Sequence, residues 1–289
     1  SLRRNLQALL LPMSLTWLAA TASAEQVVMP VSFDEVLAAP SASHSGQFAY
    51  GAAESQYARL WRAPVAHEPA PVVVLVHGGC WLQAYDVAHI APLASALAAA
   101  GFAVWAPEYR RLGEPGGGWP GSAEDVLVAV QALRELGPAH VDLQRVVLAG
   151  HSAGGQLALW ASAAFPGDGD GEAGLRVRGV IGLAAITDLH DYAAGNNSCQ
   201  QAAVRFLGGR PDEVPAHYAA ASPRELTLPQ ATILLHGDVD PIVPLAQARA
   251  ITAAETRVVE GAGHFDLIHP DTAAFPALVR ALNDVLEQP

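Results

Sequence analysis

Residues 72–76 form an uninterrupted apolar run, Val-Val-Val-Leu-Val, and this run constrains the fold more than any other feature of the chain. A strand with one wet face alternates apolar and polar residues, whereas a strand buried on both faces is apolar throughout. Such strands belong mainly to parallel sheets that carry helices on either side. The run therefore predicts the centre of an α/β protein.

Segments of the same two kinds recur along the chain. We expect strands at residues 72–76, 102–106, 145–149, 180–185, 233–236 and 256–260, and helices at 86–100, 122–136, 153–164, 245–254 and 272–286. The helix at 122–136 is expected to begin with a capping box between Ser122 and Asp125. Strands that alternate with helices indicate a doubly wound, mostly parallel sheet, here in one domain over residues 48–289.

Composition and charge exclude several classes of protein. Of the 289 residues, 51% are hydrophobic and 15% charged, which excludes a disordered or fibrous chain. The net charge is −12, and no run of lysine or arginine interrupts the acidic balance. Nucleic acids and anionic membranes bind basic surfaces, so neither is an expected partner.

The N-terminus has the pattern of an export signal. Arg3 and Arg4 precede an apolar stretch at residues 6–20, and Ala22-Ser23-Ala24 follows it. This order predicts a signal peptide over residues 1–24, cleaved after Ala24, and hence a periplasmic or secreted protein with no stable membrane insertion after cleavage. The alternative is a retained membrane anchor. Residues 25–47 show no sustained period and are interpreted as an N-terminal arm.

A serine lies between the third predicted strand and the helix after it. Gly150, Ser152 and Gly154 match the pattern G-x-S-x-G, and the pattern falls on a strand-turn-helix boundary. A serine on so sharp a turn is lifted above the sheet, and small neighbours are needed to avoid clashes. We interpret Ser152 as a nucleophile; the alternative is a serine that only caps the helix.

A serine nucleophile needs a general base and a carboxylate that orients it. Asp240 follows the strand at 233–236, and His264 lies in a glycine-rich loop after the last strand. The order serine, aspartate, histidine is the one expected of a nucleophilic triad on this fold. Asp238 is the alternative acid, and a buried structural histidine is the alternative interpretation of His264.

The transition state of acyl transfer also needs donors for an oxyanion. The backbone amide of Ala153, directly after the serine, is one expected donor. The segment His77-Gly78-Gly79-Cys80-Trp81 follows the strand at 72–76, and its glycines allow further amides to turn toward the serine. His77 is interpreted as a brace of this loop; the alternative is a proton carrier. No metal site is predicted, since His264 and His269 have no third ligand, and no cofactor is expected.

These motifs resemble the α/β-hydrolase superfamily, in particular its esterase/lipase branch of hormone-sensitive-lipase-like carboxylesterases and kynurenine formamidases. The similarity covers residues 50–286 and rests on five motifs: residues 77–81, Glu108-Tyr109-Arg110, residues 150–155, residues 236–244 and Gly263-His264-Phe265. The resemblance implies oxyanion donors from the amides of Gly79 and Cys80, and a scaffolding role for residues 108–110. The H-G-G-x-W loop is closer to the formamidase pattern.

The substrate pocket and the two cysteines are less constrained. Trp81 and Trp119 are candidate pocket residues, although tryptophan more often packs in a core. Residues 188–221 hold short helical segments without a long apolar insertion, so a small cap is expected. Cys80 and Cys199 form a disulfide if the loop and the cap meet above the serine; the alternative is two unrelated thiols.

The sequence thus predicts a serine hydrolase that cleaves short-acyl carboxylic esters through an acyl-enzyme intermediate. A small-molecule ester is the expected substrate, and the oligomeric state is left open. An alternative is hydrolysis of an N-formyl or aryl amide, as in a kynurenine formamidase. A third, from a different class, is a non-catalytic binding module on the same fold.

Overall fold

The computed structural model describes residues 29–64, 69–137, 141–165, 174–229 and 231–288. The expected signal peptide, residues 1–24, lies outside these ranges and stays a prediction. Within the ranges, every helix is too short or too polar to cross a lipid bilayer.

The described residues form an eight-stranded sheet. Its strands are β1 (Gly46–Ala49), β2 (Tyr57–Trp61), β3 (Pro71–Val76), β4 (Ala103–Pro107), β5 (Asp142–His151), β6 (Val177–Leu183), β7 (Thr232–Gly237) and β8 (Glu255–Val259). Their order across the sheet is β1-β2-β4-β3-β5-β6-β7-β8. The β1–β2 and β2–β4 pairs are antiparallel and the other pairs are parallel. The predicted doubly wound, mostly parallel sheet is confirmed.

Helices cover both faces of this sheet. They are α1 (Phe33–Ala38), α2 (Ala91–Ala99), α3 (Gly121–Gln131), α4 (Ala153–Ala164), α5 (Leu189–Tyr192), α6 (Ser198–Leu207), α7 (Pro215–Ala221), α8 (Ala246–Arg249) and α9 (Ala274–Glu287), with 3₁₀ turns at Val87–Ile90, Ala132–Leu136, Pro223–Glu225 and Phe265–Ile268. Helices α3 and α4 pack on one face, and α1, α2 and α9 on the other. Helices α5–α7 form the segment between β6 and β7, where a small cap was expected.

Strand β3 shows why its sequence is apolar throughout. Val72, Val74 and Val76 belong to the core with α3 and α4, whereas Val73 and Leu75 belong to the core with α2 and α9. All five are fully buried. Each such side chain contributes about 1.5–3 kcal/mol of transfer free energy, so a polar substitution on either face would be costly.

The start of α3 differs from the prediction. The helix begins at Gly121, and no side chain caps it. Ser122 lies inside the first turn, where its hydroxyl accepts a hydrogen bond from the amide of Gly118 and donates one to the carbonyl of Arg110. Asp125 pairs with the Arg110 guanidinium at 2.7 Å. The predicted capping box is wrong because both side chains fix the preceding loop instead.

Residues 25–47, interpreted from sequence as an arm, contain helix α1. Ser32 and Glu35 form a capping box: the Ser32 hydroxyl accepts from the Glu35 amide at 3.3 Å, and Glu35 accepts from the Ser32 amide at 2.8 Å. Val36 is fully buried against the sheet core. A helix of six residues is too short to show a period, but its capping pattern S-x-x-E is visible in the sequence.

Candidate active site

Ser152 occupies the turn between β5 and α4, at the carboxyl edge of the sheet. Its backbone has φ 56° and ψ −120°, a conformation that L residues seldom adopt. The turn is closed tightly around it. A Cβ atom on Gly150 would lie 2.2 Å from the carbonyl oxygen of Gly154, and one on Gly154 would lie 2.2 Å from that of His77. Glycine is therefore required on both sides of the serine.

The loops after β7 and β8 bring Asp240 and His264 together. Nδ1 of His264 lies 2.7 Å from Oδ2 of Asp240, and both side chains are buried. A hydrogen bond from Nδ1–H to the carboxylate leaves Nε2 of the neutral ring free to accept a proton. Ser152 and His264 line the same cavity, although no hydrogen bond joins the two among the described residues.

Asp240 is held in its ionised form. Burial by itself raises the pKa of this carboxyl, but the hydrogen bond and charge of His264 and the amides of Ile242 and Val243 outweigh burial, and the pKa lies below its ordinary value. The two amides donate to Oδ1 at 2.8 and 2.9 Å. Asp238, the alternative acid, instead accepts from the amide of Gly261 at 2.7 Å. The structure therefore places Asp240 beside the histidine.

His151 connects the serine turn to the histidine loop. Its Nε2 lies 3.0 Å from the carbonyl oxygen of His264, and the two rings are 4.5 Å apart. Burial, and secondly the nearby His264, keep the pKa of His151 well below its usual value, so the ring is neutral and donates through Nε2–H. In the pattern G-x-S-x-G this residue is only a variable position, so the pattern does not predict the contact.

The loop after β3 runs beside the serine in an unusual backbone conformation. Gly79, Cys80 and Trp81 all have positive φ, at 101°, 52° and 58°. For the two non-glycine residues this conformation costs about 1–3 kcal/mol each. The loop therefore needs firm support.

Helix α6 supplies much of that support. Cys199, in its first turn, forms a disulfide with Cys80, with the Cα atoms 5.1 Å apart. Phe206, in its last turn, stacks on the Trp81 ring at 4.6 Å. Trp81 also donates its indole N–H to Gln156 of α4 at 3.1 Å. Both strained residues are thus held by the same helix.

The three residues predicted to supply oxyanion donors lie close to Ser152. Ala153 is the first residue of α4, so its N–H has no acceptor within the helix. Gly79 and Cys80 line the cavity together with Ser152. A Cβ atom on the neighbouring Gly78 would lie 3.1 Å from Cβ of Ser152, which shows how closely the loop approaches.

His77 and Glu108 brace this loop from below. Nε2 of His77 lies 2.8 Å from Oε1 of Glu108, and both side chains are buried. Burial favours the neutral acid, but His77, Arg111 and the amide of Val87 together lower the pKa of Glu108. His77 also stacks on Tyr109 at 4.4 Å. These contacts agree with the scaffolding expected for His77 and residues 108–110.

Ser152 opens into a cavity of about 230 Å³. Its walls combine the serine turn, the loop after β3, helix α6 and the N-terminal arm: Phe33, Gly79, Cys80, Tyr85, His89, His151, Ser152, Asn197, Ser198, Cys199, Pro241, Ile242, His264 and Phe265. Apart from the histidines, none of these described residues is acidic or basic. The cavity therefore suits an uncharged ligand.

Neither tryptophan proposed as a pocket residue lies on this cavity. Trp81 is fully buried behind the loop, between Phe206 and Gln156. Trp119 packs edge to face on Trp160 at 5.5 Å. The prediction is wrong because both rings serve as packing. The aromatic wall comes instead from Phe33, Tyr85 and Phe265, which were not predicted as pocket residues.

Comparison with known proteins identifies the family. The BD-FAE family model matches residues 60–254, more than half of the chain. The chain belongs to the BD-FAE family. This places it in the esterase/lipase branch of the α/β-hydrolases, as the motifs indicated.

Two curated esterases match this chain at less than 30% sequence identity. Esterase LipC of Mycobacterium tuberculosis is 28% identical over 253 residues, covering 78% of this chain and 60% of LipC. Esterase LipQ of the same organism is 29% identical over 210 residues, covering 68% and 48%. The chain thus spans about half to three-fifths of the curated relatives it matches. Esterase B from Lactobacillus rhamnosis shares the fold, with a TM-score of 0.71 at 20% identity, over 88% of this chain and 91% of that one.

Proposed function

We propose that the protein is a serine esterase that hydrolyses small, uncharged carboxylic esters through an acyl-enzyme intermediate. Ser152 is the nucleophile, His264 the general base and Asp240 the carboxylate that orients it. The observation that carries the proposal is the 2.7 Å contact between His264 Nδ1 and Asp240 Oδ2, on a cavity shared with a serine in a left-handed turn. Esterases among the relatives support the same reaction class.

In the proposed reaction each step involves a group of this chain. Oγ of Ser152 attacks the ester carbonyl carbon while Nε2 of His264 takes the hydroxyl proton. The amides of Gly79, Cys80 and Ala153 then stabilise the negative charge on the carbonyl oxygen. The intermediate collapses as His264 returns the proton to the leaving alcohol. Water repeats the sequence on the acyl-enzyme and releases the acid.

The size of the cavity supports short acyl groups. Pockets for drug-sized ligands measure about 300–1,000 Å³, and the cavity beside Ser152 measures about 230 Å³. Esterase B from Lactobacillus rhamnosis has been solved in a form inhibited by a C4-C4 tributyrin phosphonate. We therefore extend the proposal to acetate and butyrate esters.

The formamidase alternative receives no support from the tryptophan of the H-G-G-x-W loop. That residue, Trp81, is fully buried and contacts protein on its face and its N–H, so it is not available to recognise an aryl substrate. The non-catalytic alternative leaves the hydrogen-bonded pair of Asp240 and His264 without a purpose. One assay distinguishes the proposed esterase from both alternatives.

The assay compares p-nitrophenyl acetate, butyrate and palmitate with N-formylkynurenine. We expect acetate and butyrate to be cleaved far faster than palmitate, and N-formylkynurenine to be a poor substrate. Ser152→Ala removes the nucleophile and should lower turnover about 10⁶-fold. Ser162→Ala, a buried serine elsewhere on α4, is the matched control and should keep its turnover.

Three results would contradict the proposal. Ester hydrolysis by Ser152→Ala above a few per cent of wild type would remove Ser152 from its role. Preferred cleavage of N-formylkynurenine would favour the formamidase. A folded chain with no hydrolytic activity, and no labelling of Ser152 by an alkyl phosphonate, would favour the binding module.

A further inference from the structure

The N-terminal arm contributes an aromatic side chain to the cavity of Ser152. The ring of Phe33, in the first turn of α1, lies 5.5 Å from that of Tyr85, 5.6 Å from His89 and 5.4 Å from Phe265. All four residues line the cavity. The contacts are edge-to-face or tilted, which are favourable arrangements of aromatic rings. Phe33 therefore completes an aromatic wall that the other three residues leave open.

The arm that carries Phe33 is fixed to the histidine loop. One carboxylate oxygen of Asp266 accepts the amides of Val31 at 2.9 Å and Gly263 at 3.0 Å. Gly263 directly precedes His264, so the same oxygen holds the arm and the loop of the general base. The capping box and the buried Val36 fix the helix itself. These contacts fix the Phe33 ring in the wall of the cavity.

The chemistry of this wall suits a hydrocarbon group. Its members are Phe33, Tyr85, Phe265 and a histidine, His89, that is 4% exposed. Burial, reinforced by the nearby His77, lowers the pKa of His89 to about 3, so the ring carries no charge under ordinary assay conditions. An alkyl or aryl group of an ester that lies against this wall would lose its contact with water and would contact no charged side chain.

We propose that Phe33 is a specificity-determining residue that sets the upper length of the ester group lying against this aromatic wall. The inference rests on the esterase function proposed above. The ring blocks further extension of the cavity in its direction, so a longer group collides with it. Removing the ring lengthens the cavity without touching Ser152, Asp240 or His264.

The test measures kcat/KM of Phe33→Ala in two ester series. One series lengthens the acyl group on p-nitrophenol from acetate to octanoate; the other lengthens the alcohol of acetate esters from methyl to hexyl. One methylene group in an apolar pocket changes specificity by about 10–200-fold. We expect the ratio of the longer to the shortest ester to rise at least about 10-fold over wild type in one of the two series. The series in which the ratio rises shows whether Phe33 limits the length of the acyl group or of the alcohol group.

Leu37→Ala is the matched control, because Leu37 lies on the same helix, is 56% exposed and is not part of the cavity wall. Its ratios should stay within about twofold of wild type. Phe33→Leu, which keeps an apolar side chain, gives a second reading if Phe33→Ala fails to fold, with a smaller shift in the same direction. Phe33→Trp should shorten the limit.

The two proposals fail in distinguishable ways. Wild-type hydrolysis of the acetate ester, lost in Ser152→Ala, decides the esterase function by itself. If that activity is present and Phe33→Ala and Phe33→Leu leave both length ratios unchanged, the role of Phe33 is refuted and the function stands. If Leu37→Ala shifts the ratios as much as Phe33→Ala, the effect comes from loosening the arm, and the specific role of the ring is also refuted.

Discussion

The two sides of the candidate active site are built by different means. The sheet side holds Ser152, Asp240 and His264, each in a loop that leaves the carboxyl end of a strand. The cap side consists of α1 and α6, which reach the cavity from segments that do not belong to the sheet. Buried strands position the first side, and individual side-chain contacts position the second. Under the proposed function, the proton transfers and the length limit of the substrate therefore depend on different parts of the chain.

The two sides meet in the loop after β3. Its backbone strain at Cys80 and Trp81 is offset by two contacts from α6, the disulfide of Cys199 and the stacked ring of Phe206. The cap side thus contacts the loop of the proposed oxyanion donors, although it contributes no group to the proposed proton transfers. Substitutions on the sheet side and on the cap side should therefore have different effects on activity and on stability.

The largest effect is expected from the sheet side. Asp240→Asn keeps the size of the side chain but removes the charge that orients and stabilises the protonated His264. A comparable change in a triad costs about 10⁴-fold in kcat, and we expect a loss of that order with little change in KM. Steady-state kinetics on p-nitrophenyl butyrate measure it.

Asp238→Asn is the matched control for this substitution. Asp238 lies in the same loop, is exposed and contacts only the amide of Gly261 in the described structure. A loss below about 10-fold is expected. Equal losses in the two variants would mean that the loop, rather than the Asp240 carboxylate, supports the reaction.

The same contrast explains what could be predicted from the sequence. The turn at Ser152 is visible because its steric demand falls on neighbouring residues, Gly150 and Gly154. The pairing of Asp240 with His264 follows from the order of strands in a doubly wound sheet. Both belong to the sheet side, where local sequence and topology determine position.

The cap side could not be predicted as well. Phe33 reaches the cavity on an arm that Asp266, far away in the sequence, holds through the amide of Val31. Trp81 was expected on the cavity, but the left-handed backbone of its loop turns the ring toward Phe206. Contacts between distant segments decide both cases, and a single sequence does not record them.

The disulfide tests the support that the cap side gives to the loop. Reduction, or the double variant Cys80→Ala/Cys199→Ala, opens a loop with a sequence separation of 119 residues and should lower the free energy of unfolding by about 2–5 kcal/mol. Cys80 is then free to leave its positive φ, so ester hydrolysis should fall as well. Thermal unfolding and activity with and without reductant measure both effects.

The double variant has no disulfide, so it serves as the control for the reductant. Reductant should change neither its stability nor its activity. Titration of the unfolded, unreduced wild-type chain should find no free thiol, and two free thiols per chain would refute the disulfide. Loss of stability with full retention of activity would show that α6 does not support the oxyanion loop.

The smallest effect concerns His89, whose ring lies between the two sides, 5.6 Å from that of Phe33 and 5.5 Å from that of His77. Its pKa is about 3 in the folded protein, against about 6.5 in an unfolded chain. Protonation of His89 therefore favours the unfolded chain. The neutral ring does not lower the free energy of unfolding above pH 6.5, and the loss of stability grows as the pH falls from 6.5 to 3. At pH 5 the loss from His89 is about 2 kcal/mol, at about 1.4 kcal/mol for each pH unit below 6.5.

His89→Phe should therefore reduce the stability difference between pH 7.5 and pH 5, as measured by urea unfolding. Nδ1 of His89 is buried without a hydrogen-bond partner, so the substitution breaks no bond at that atom. The exposed His190→Gln should leave the difference unchanged. Some pH dependence should remain in His89→Phe, since burial also lowers the pKa of His151 and His236 on the sheet side. An unaltered difference in His89→Phe would show that the acid sensitivity comes from groups other than His89.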